Sequence, residues 1–546
     1  MSKEIEAALS LLTAHRPAEA EQAFRRILAK GKDAQALHYL GLIQAQKGDR
    51  EGAAKLVGEA VALAPADAWA LSNYGVLLNS LGRGKEAIVA LDRAVALAPN
   101  SADALGNRVL CLLGLGRREE ALEALDKLLA LRPDQAESHI QRGDLLKDLK
   151  RPEEAVASYD RGLALKPDQP TALKNRAVML RLLGRIDEAL ADYDRALALA
   201  PKDVDILVSH GITLQGLARY DETLAAYGRA LEIAPDHGGA RFCDGLCRLM
   251  LGDLERGWPG LEARWQTDEF ARLRRGFKQP QWTGGEPLTG KTILLHAEQG
   301  LGDTIQFCRY TSLIAAKGAT VVMEVQSELK SLLTGLPGVS TLMAKGEPLP
   351  AFDYHCPLMS LASAFGTRLD SIPSPDAYLE ASTAKCDEWT KRLGPRKRPR
   401  VALVWSGRPT HANDRNRSIA SSQIAQLLDQ PADFFSLQKE VRTSDAEALK
   451  GRNNLTLLGG ALADFSDTAA AIEQMDLVIT VDTSVAHLAG ALGKPVWILL
   501  PSVPDWRWLL GREDTPWYAS ARLWRQPVAG DWEGVLERMR AALKAN

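Results

Sequence analysis

The chain has 546 residues, of which 46% are apolar and 25% charged, the composition of an ordinary water-soluble protein of several domains. Its 67 basic and 69 acidic residues nearly cancel, so no charge excess points to nucleic acid. The opening residues lack the apolar core of a signal peptide and no window is long enough for a membrane span, so a cytoplasmic protein is expected. Six scattered cysteines, with no second pair or histidine cluster beside Cys243 and Cys247, read as buried thiols rather than a metal site.

In chain order, the first feature is a strict repeat. Pro65, Pro99, Pro133, Pro167, Pro201 and Pro235 stand 34 residues apart. Twelve residues before them come Ala53, Ala87, Ala121, Ala155, Ala189 and Thr223, and 24 before come Gly41, Gly75, Val109, Gly143, Ala177 and Gly211. Small residues at fixed places predict helix pairs that cross closely, where a larger side chain would overpack. Gly48, Gly82, Gly116 and Gly184 mark the turns inside the pairs as left-handed caps.

This pattern resembles the tetratricopeptide repeat family over roughly residues 3–268, with a degenerate opening repeat near 18–28 and a divergent closing one near 241–265. Twenty-six residues before the prolines, Asn73, Asn107, Gln141 and Asn175 form a run of carboxamides. Each offers a donor and an acceptor in one plane, matching a peptide unit, so the run predicts a groove for an extended polypeptide. The resemblance supports this, because repeat arrays fused to protein glycosyltransferases carry such an Asn ladder. The alternative is that these amides bridge neighbouring helices.

After residue 265 the rhythm ends, and residues 278–287 read as a polar linker. Strands are predicted over 292–295, 320–325, 401–405, 433–437, 455–458, 477–481 and 496–500, and helices over 304–317, 421–430, 468–475 and 484–492. Alternation of this kind implies parallel sheets with helices on both faces. A basic, Gly/Pro-containing break over 391–400 divides the region into two parts, each opening with a strand.

Two motifs carry chemistry. Residues 294–307 run from a strand through Gly300 and Gly302 directly into a helix, with Asp303 in its first turn. Gly300 and Gly302 let backbone approach a ligand, and Asp303 is either functional or a helix cap. In residues 476–496 a strand ends at Asp482, and Thr483 and Ser484 begin a helix that bears His487 one turn on. The free N–H groups of such a helix start favour phosphate; His487 either faces the same ligand or sits in the core. Arg415, Arg417, Gln438 and Lys439 follow the first two strands of the last part, where ligands of such sheets collect. The cations suit a nucleotide-sugar phosphate. Residues 504–508, with Trp506, Arg507 and Trp508, read equally as a nucleotide wall or as packing.

Together the two motifs resemble glycosyltransferase family 9, the heptosyltransferases, over about residues 290–525, and the whole chain resembles bacterial flagellin and protein glycosyltransferases that join repeats to such a domain. The resemblance implies an α-solenoid followed by an α/β GT-B fold of two Rossmann-like domains. The implied parts are repeats over 1–268, a linker over 269–290, an acceptor-side domain over 291–395 and a nucleotide-sugar domain over 398–546. It implies Asp303 as general base, and donor contacts from Asp482, Thr483, Ser484 and His487. Ser484 stands where the family prefers Gly, which leaves the sugar open. No Asp-x-Asp pair follows residue 268, so neither metal nor resident cofactor is expected.

The expected function is an inverting, metal-independent transferase acting on Ser or Thr of a protein held by the repeats, with flagellin and a nonulosonic acid as the concrete case. The alternatives are a heptosyltransferase-like enzyme with a glycan or lipid-linked acceptor, and a non-catalytic repeat adaptor. The expected partners are a protein substrate and a nucleotide-sugar.

Overall fold

A computed structural model describes residues 2–410 and 413–545. The chain divides into two compact units, Met1–Ser209 and His210–Asn546.

The first unit is built of helix pairs. Lys3–Thr13 packs with Pro17–Lys30, Ala34–Gln46 with Arg50–Leu63, Ala68–Ser80 with Gly84–Leu97, Ala102–Gly114 with Arg118–Leu131, Ala136–Asp148 with Pro152–Leu165, and Pro170–Leu182 with Ile186–Leu199. The small-residue positions are where partners cross. A Cβ on Gly41 would stand 2.5 Å from Val57, and one on Gly143 would stand 2.6 Å from the ring of Tyr159. The turn position of every pair from Gly48 onward is left-handed. Gly48, Gly82, Gly116 and Gly184 have φ of 91°, 74°, 72° and 76°, and Lys150 holds the same place at φ 59° without being glycine.

The second unit holds the later repeats, among them Gly238–Met250 with Leu254–Glu262, and two parallel sheets. The first sheet consists of β1 (Thr292–His296), β2 (Thr320–Val325), β3 (Thr341–Ala344) and β4 (Tyr354–Pro357) in the order β3-β2-β1-β4. The second consists of β5 (Arg400–Val404), β6 (Asp433–Ser436), β7 (Leu455–Leu457), β8 (Leu477–Val481), β9 (Val496–Leu500) and β10 (Ala521–Arg525) in the order β10-β9-β8-β5-β6-β7. All pairings are parallel, with Val401 beside Leu477 and Val478 beside Val496.

Numbered from its own first strand, the second sheet has the doubly wound order, whose direction reverses between β5 and β8. Both sheets are therefore compatible with Rossmann-like domains. One apolar core joins the closing repeat (Leu254, Trp258), the first sheet (Ile293, Met323) and one face of the second (Val478, Ile498). The other face is covered by Trp532, Val535 and Met539 of the helix Trp532–Ala545. Strands β3, β4 and β10 were not anticipated. The break over 391–400 corresponds to the end of the helix Thr383–Leu393, a left-handed Gly394 (φ 68°) and the start of β5.

Candidate functional site

Doubly wound sheets form their ligand crevice at the carboxyl ends of the strands where the order reverses, here β5 and β8, because the crossovers there leave in opposite directions. Into it the chain delivers Ser406 and Gly407 after β5, and Asp482, Thr483 and Ser484 after β8. Gln438, just beyond β6, fixes the first loop. Its Oε1 accepts from the N–H groups of Trp405 (3.1 Å) and Ser406 (3.2 Å), and its Nε2 donates to Ser406 Oγ (2.7 Å). Buried and bonded in this way, Gln438 fixes the loop after β5 from within the fold. Arg417 reaches across, donating from Nη1 to the Asp482 carbonyl at 2.8 Å. Arg415 is exposed, and Lys439 turns its ammonium onto the Leu462 carbonyl.

Thr483 caps the helix Ser484–Ala491, its Oγ1 accepting from Val485 N–H at 3.3 Å. His487, one turn on, does not line the opening. Its ring is 5% exposed, its Nδ1 lies 2.8 Å from the Tyr518 hydroxyl, and it stacks on Trp508 at 5.3 Å. Burial, followed by the positive charges of Arg507 and Arg309, pushes its pKa well below the usual histidine value, so it is a neutral core imidazole.

The glycine turn after β1 arrives at the same place. The helix Leu301–Phe307 packs directly on the helix Ser484–Ala491: a Cβ on Gly302 would stand 2.7 Å from His487 Cδ2 and 3.5 Å from Ser484 Cα. Asp303 Oδ2 accepts from Gly300 N–H at 2.7 Å, so the residue does cap its helix. Its Oδ1 forms an ion pair with Arg507. Arg507 in turn donates from Nε to Gln306 Oε1 (2.7 Å) and from Nη1 to Asp505 Oδ1 (2.9 Å). One guanidinium thus fastens the first motif to the loop over 504–508 that follows β9, and nothing in the sequence singled it out from its neighbours.

The electrostatics follow from crowding. Burial, reinforced by the Asp505 charge and opposed by Trp508, Arg507 and Arg417, pushes the Asp482 carboxyl up to about 6. Glu298, between β1 and the glycine turn, also went unnoticed in the sequence. Its side chain is 2% exposed and pairs at 2.9 Å with Arg264, a guanidinium wholly buried at the end of the closing repeat. Burial raises the Glu298 carboxyl to about 7, with Arg264 opposing the shift.

The carboxamide ladder lies in the first unit. The amide nitrogens of Asn73, Asn107 and Asn175 engage the preceding repeat, at His38 Nε2 (2.9 Å), Ser72 Oγ (3.0 Å) and Asp144 Oδ1 (2.7 Å). Gln141 is half-buried beside them. The ladder therefore does bridge helices through its nitrogens, while the Asn oxygens accept no hydrogen bond among the described residues.

Family models match these elements. Residues 5–68, 44–107, 78–143 and 140–204 match tetratricopeptide repeats, and residues 434–500, from β6 to the end of β9, match glycosyltransferase family 9 (heptosyltransferase). The chain joins tetratricopeptide repeats to a segment similar to glycosyltransferase family 9. That segment contains Gln438, Lys439, Asp482, Thr483, Ser484 and His487, and stops short of Arg507. Protein FlbA of Caulobacter vibrioides is 28% identical over 323 residues, 54% of this chain and 53% of FlbA, so the chain spans about half the length of the curated relative it matches.

Among solved structures, the tetratricopeptide repeat protein YrrB is 23% identical, covering 34% of this chain and 96% of its own, with a TM-score of 0.32. The C-terminal part of a repeat-containing protein from Cytophaga hutchinsonii is 19% identical, covering 43% and 97%, with a TM-score of 0.37. No helix of the described residues is long and apolar enough to cross a membrane.

Proposed function

We propose that the chain is an inverting glycosyltransferase of GT-B build that moves a sugar from a nucleotide-sugar to a Ser or Thr hydroxyl of a protein held by its repeats. The observation that carries this reading is the packing of Gly302, the neighbour of Asp303, against Ser484 and His487 of the helix Ser484–Ala491, which follows a strand at the reversal point of a doubly wound sheet. In this reading residues 291–395 serve the acceptor and 398–546 the donor, with the repeats over 1–268 and a linker between. A basic group, a phosphate-ready helix start and arginines then share one crevice.

The acceptor oxygen attacks the anomeric carbon from the face opposite the phosphate, and its proton passes to Asp303. The bond from the anomeric carbon to the phosphate oxygen breaks, and its electron pair leaves with the nucleotide. The developing charge is met by N–H groups at Thr483 and Ser484 and by Arg417, with Lys439 and Arg415 as outer cations. No divalent ion or resident cofactor is required, so chelation leaves the rate unchanged. The carboxamide oxygens of Asn73, Asn107, Gln141 and Asn175 accept N–H groups of an extended acceptor, which flagellin would supply.

The test is transfer by the full chain from a panel of nucleotide-sugars to purified flagellin, with Asp303→Asn as comparison. Product is expected with the native chain. The variant is expected to be slower by a factor of about 100 or more, as for loss of a general base. Equal rates would remove Asp303 from the mechanism, and no product with any donor would remove the transferase reading.

A further inference from the structure

We infer that Arg507 is traded between two anions: it holds Asp303 while the crevice is empty and passes to the donor phosphate when nucleotide binds, so the base is released only in the donor complex. The inference rests on the transferase reading above and goes beyond it, giving the crevice an order of binding.

Arg507 has three engaged nitrogens, and its partners differ in kind. Asp505 lies two residues away on the same loop and accepts both Nη1 (2.9 Å) and the Arg507 backbone N–H (3.0 Å), so it travels with the arginine. Asp303 belongs to the helix after β1, 204 residues away, and meets Arg507 only through Nη2. Gln306 of the same helix holds Nε at 2.7 Å and can keep the arginine attached when Nη2 swings away, so Asp303 is the charged partner that can be given up. The guanidinium lies 4.5 Å from the centroid of the Trp506 ring, a flat support on which a planar cation can pivot.

Charge argues for the exchange. Asp303, Asp482 and Asp505 act on Arg507, with Arg417 as the second cation, so these five side chains together carry one surplus negative charge. A phosphate entering at Thr483 and Ser484 adds more of the same sign, and Arg507, bonded to Asp303 of the first motif, is a cation whose charge also acts on Asp482 of the second. Asp303, for its part, has both oxygens occupied, by Gly300 N–H and by Arg507. An acceptor hydroxyl must compete with Nη2 for Oδ1 until that nitrogen leaves. Donor arrival supplies that vacancy, so proton transfer waits for the leaving group to be in place.

The experiment titrates CMP, UDP, ADP and GDP into the full chain, native and Asp303→Asn, and follows carbodiimide labelling of Asp303 in the native chain by peptide mass. Asparagine keeps the shape of aspartate and a carbonyl for Gly300, and near-ultraviolet circular dichroism confirms the fold. The nucleotide that binds the native chain is expected to bind D303N about tenfold tighter, because a charge-assisted bond no longer has to be broken. Labelling of native Asp303 is expected to rise severalfold on nucleotide binding. A D303N affinity equal to or weaker than native, or labelling that falls or stays constant, overturns the exchange while leaving the transferase reading intact. If none of the four nucleotides binds the native chain, the transferase reading falls and the exchange with it.

Discussion

Gly302 and His487 touch so closely that a Cβ on the glycine would stand 2.7 Å from the imidazole Cδ2. The two helices that open the functional motifs are thus in backbone-to-ring contact, and no side chain fits between them. His487 has little freedom to retreat, because Tyr518 holds its Nδ1 at 2.8 Å and Trp508 stacks on its ring.

Gly302→Ala should therefore force the motifs apart. Overpacking of this kind costs about 1–3 kcal/mol, and the displacement of Asp303 should reduce transfer more than nucleotide binding. Chemical denaturation and initial rates check this; unchanged stability and rate would mean that the contact is slack.

The Asp482 carboxyl gives a pH signature. Its ordinary value of 3.8 is raised to about 6 in the folded chain, so between those values the native state holds a proton that the unfolded chain has lost. This group's contribution to stability therefore falls as pH rises through that window. Asp482→Asn has no such proton to lose. Its stability relative to the native chain should improve by on the order of 1–3 kcal/mol between about pH 4 and pH 7. Denaturation curves at both pH values measure it, and a constant difference would contradict the assignment.

The carboxamide ladder should act on acceptor binding alone. Replacing Asn73 and Asn107 by Ala together should raise the KM for a protein acceptor by about tenfold, the effect of losing two hydrogen bonds, with kcat and nucleotide affinity unchanged. A fall in kcat at constant KM would assign these residues only the bridging role that their nitrogens already show.

The turn at Lys150 offers a gain in stability. Its φ of 59° matches the glycines at the same repeat position, so Lys150→Gly should stabilise the repeats by about 0.5–1 kcal/mol, and Gly184→Ala should lose a similar amount. Urea denaturation of both variants measures it. Opposite signs of these changes would refute the strain argument.

The repeats were legible because one geometric demand, close helix crossing, recurs every 34 residues and leaves the same small residues behind. Strands β2, β8 and β9 begin and end where the apolar runs do. Strand β4 escaped notice because it is short and ends in Pro357, and β10 because Arg522 and Arg525 interrupt its apolar pattern. The helix predicted over 304–317 is broken by a 3-10 turn at Cys308–Tyr310.

Within the site, Asp303, Thr483 and Ser484 were recognisable from local order, strand then turn then helix. Arg507 was not, since its meaning comes from partners 201 and 204 residues away. The setting of His487 was also hidden, because its partner Tyr518 lies 31 residues on in a loop with no pattern of its own.

Hydrogen exchange of the full chain with and without a bound nucleotide tests the central claim most directly. The account expects slowed exchange in the backbone around Ser406 and Gly407 and around Thr483 and Ser484, at the ends of β5 and β8. Protection elsewhere, for instance at the cleft of about 450 Å³ lined by Leu379, Glu380, Cys386 and Glu473, or none with any nucleotide, would contradict it.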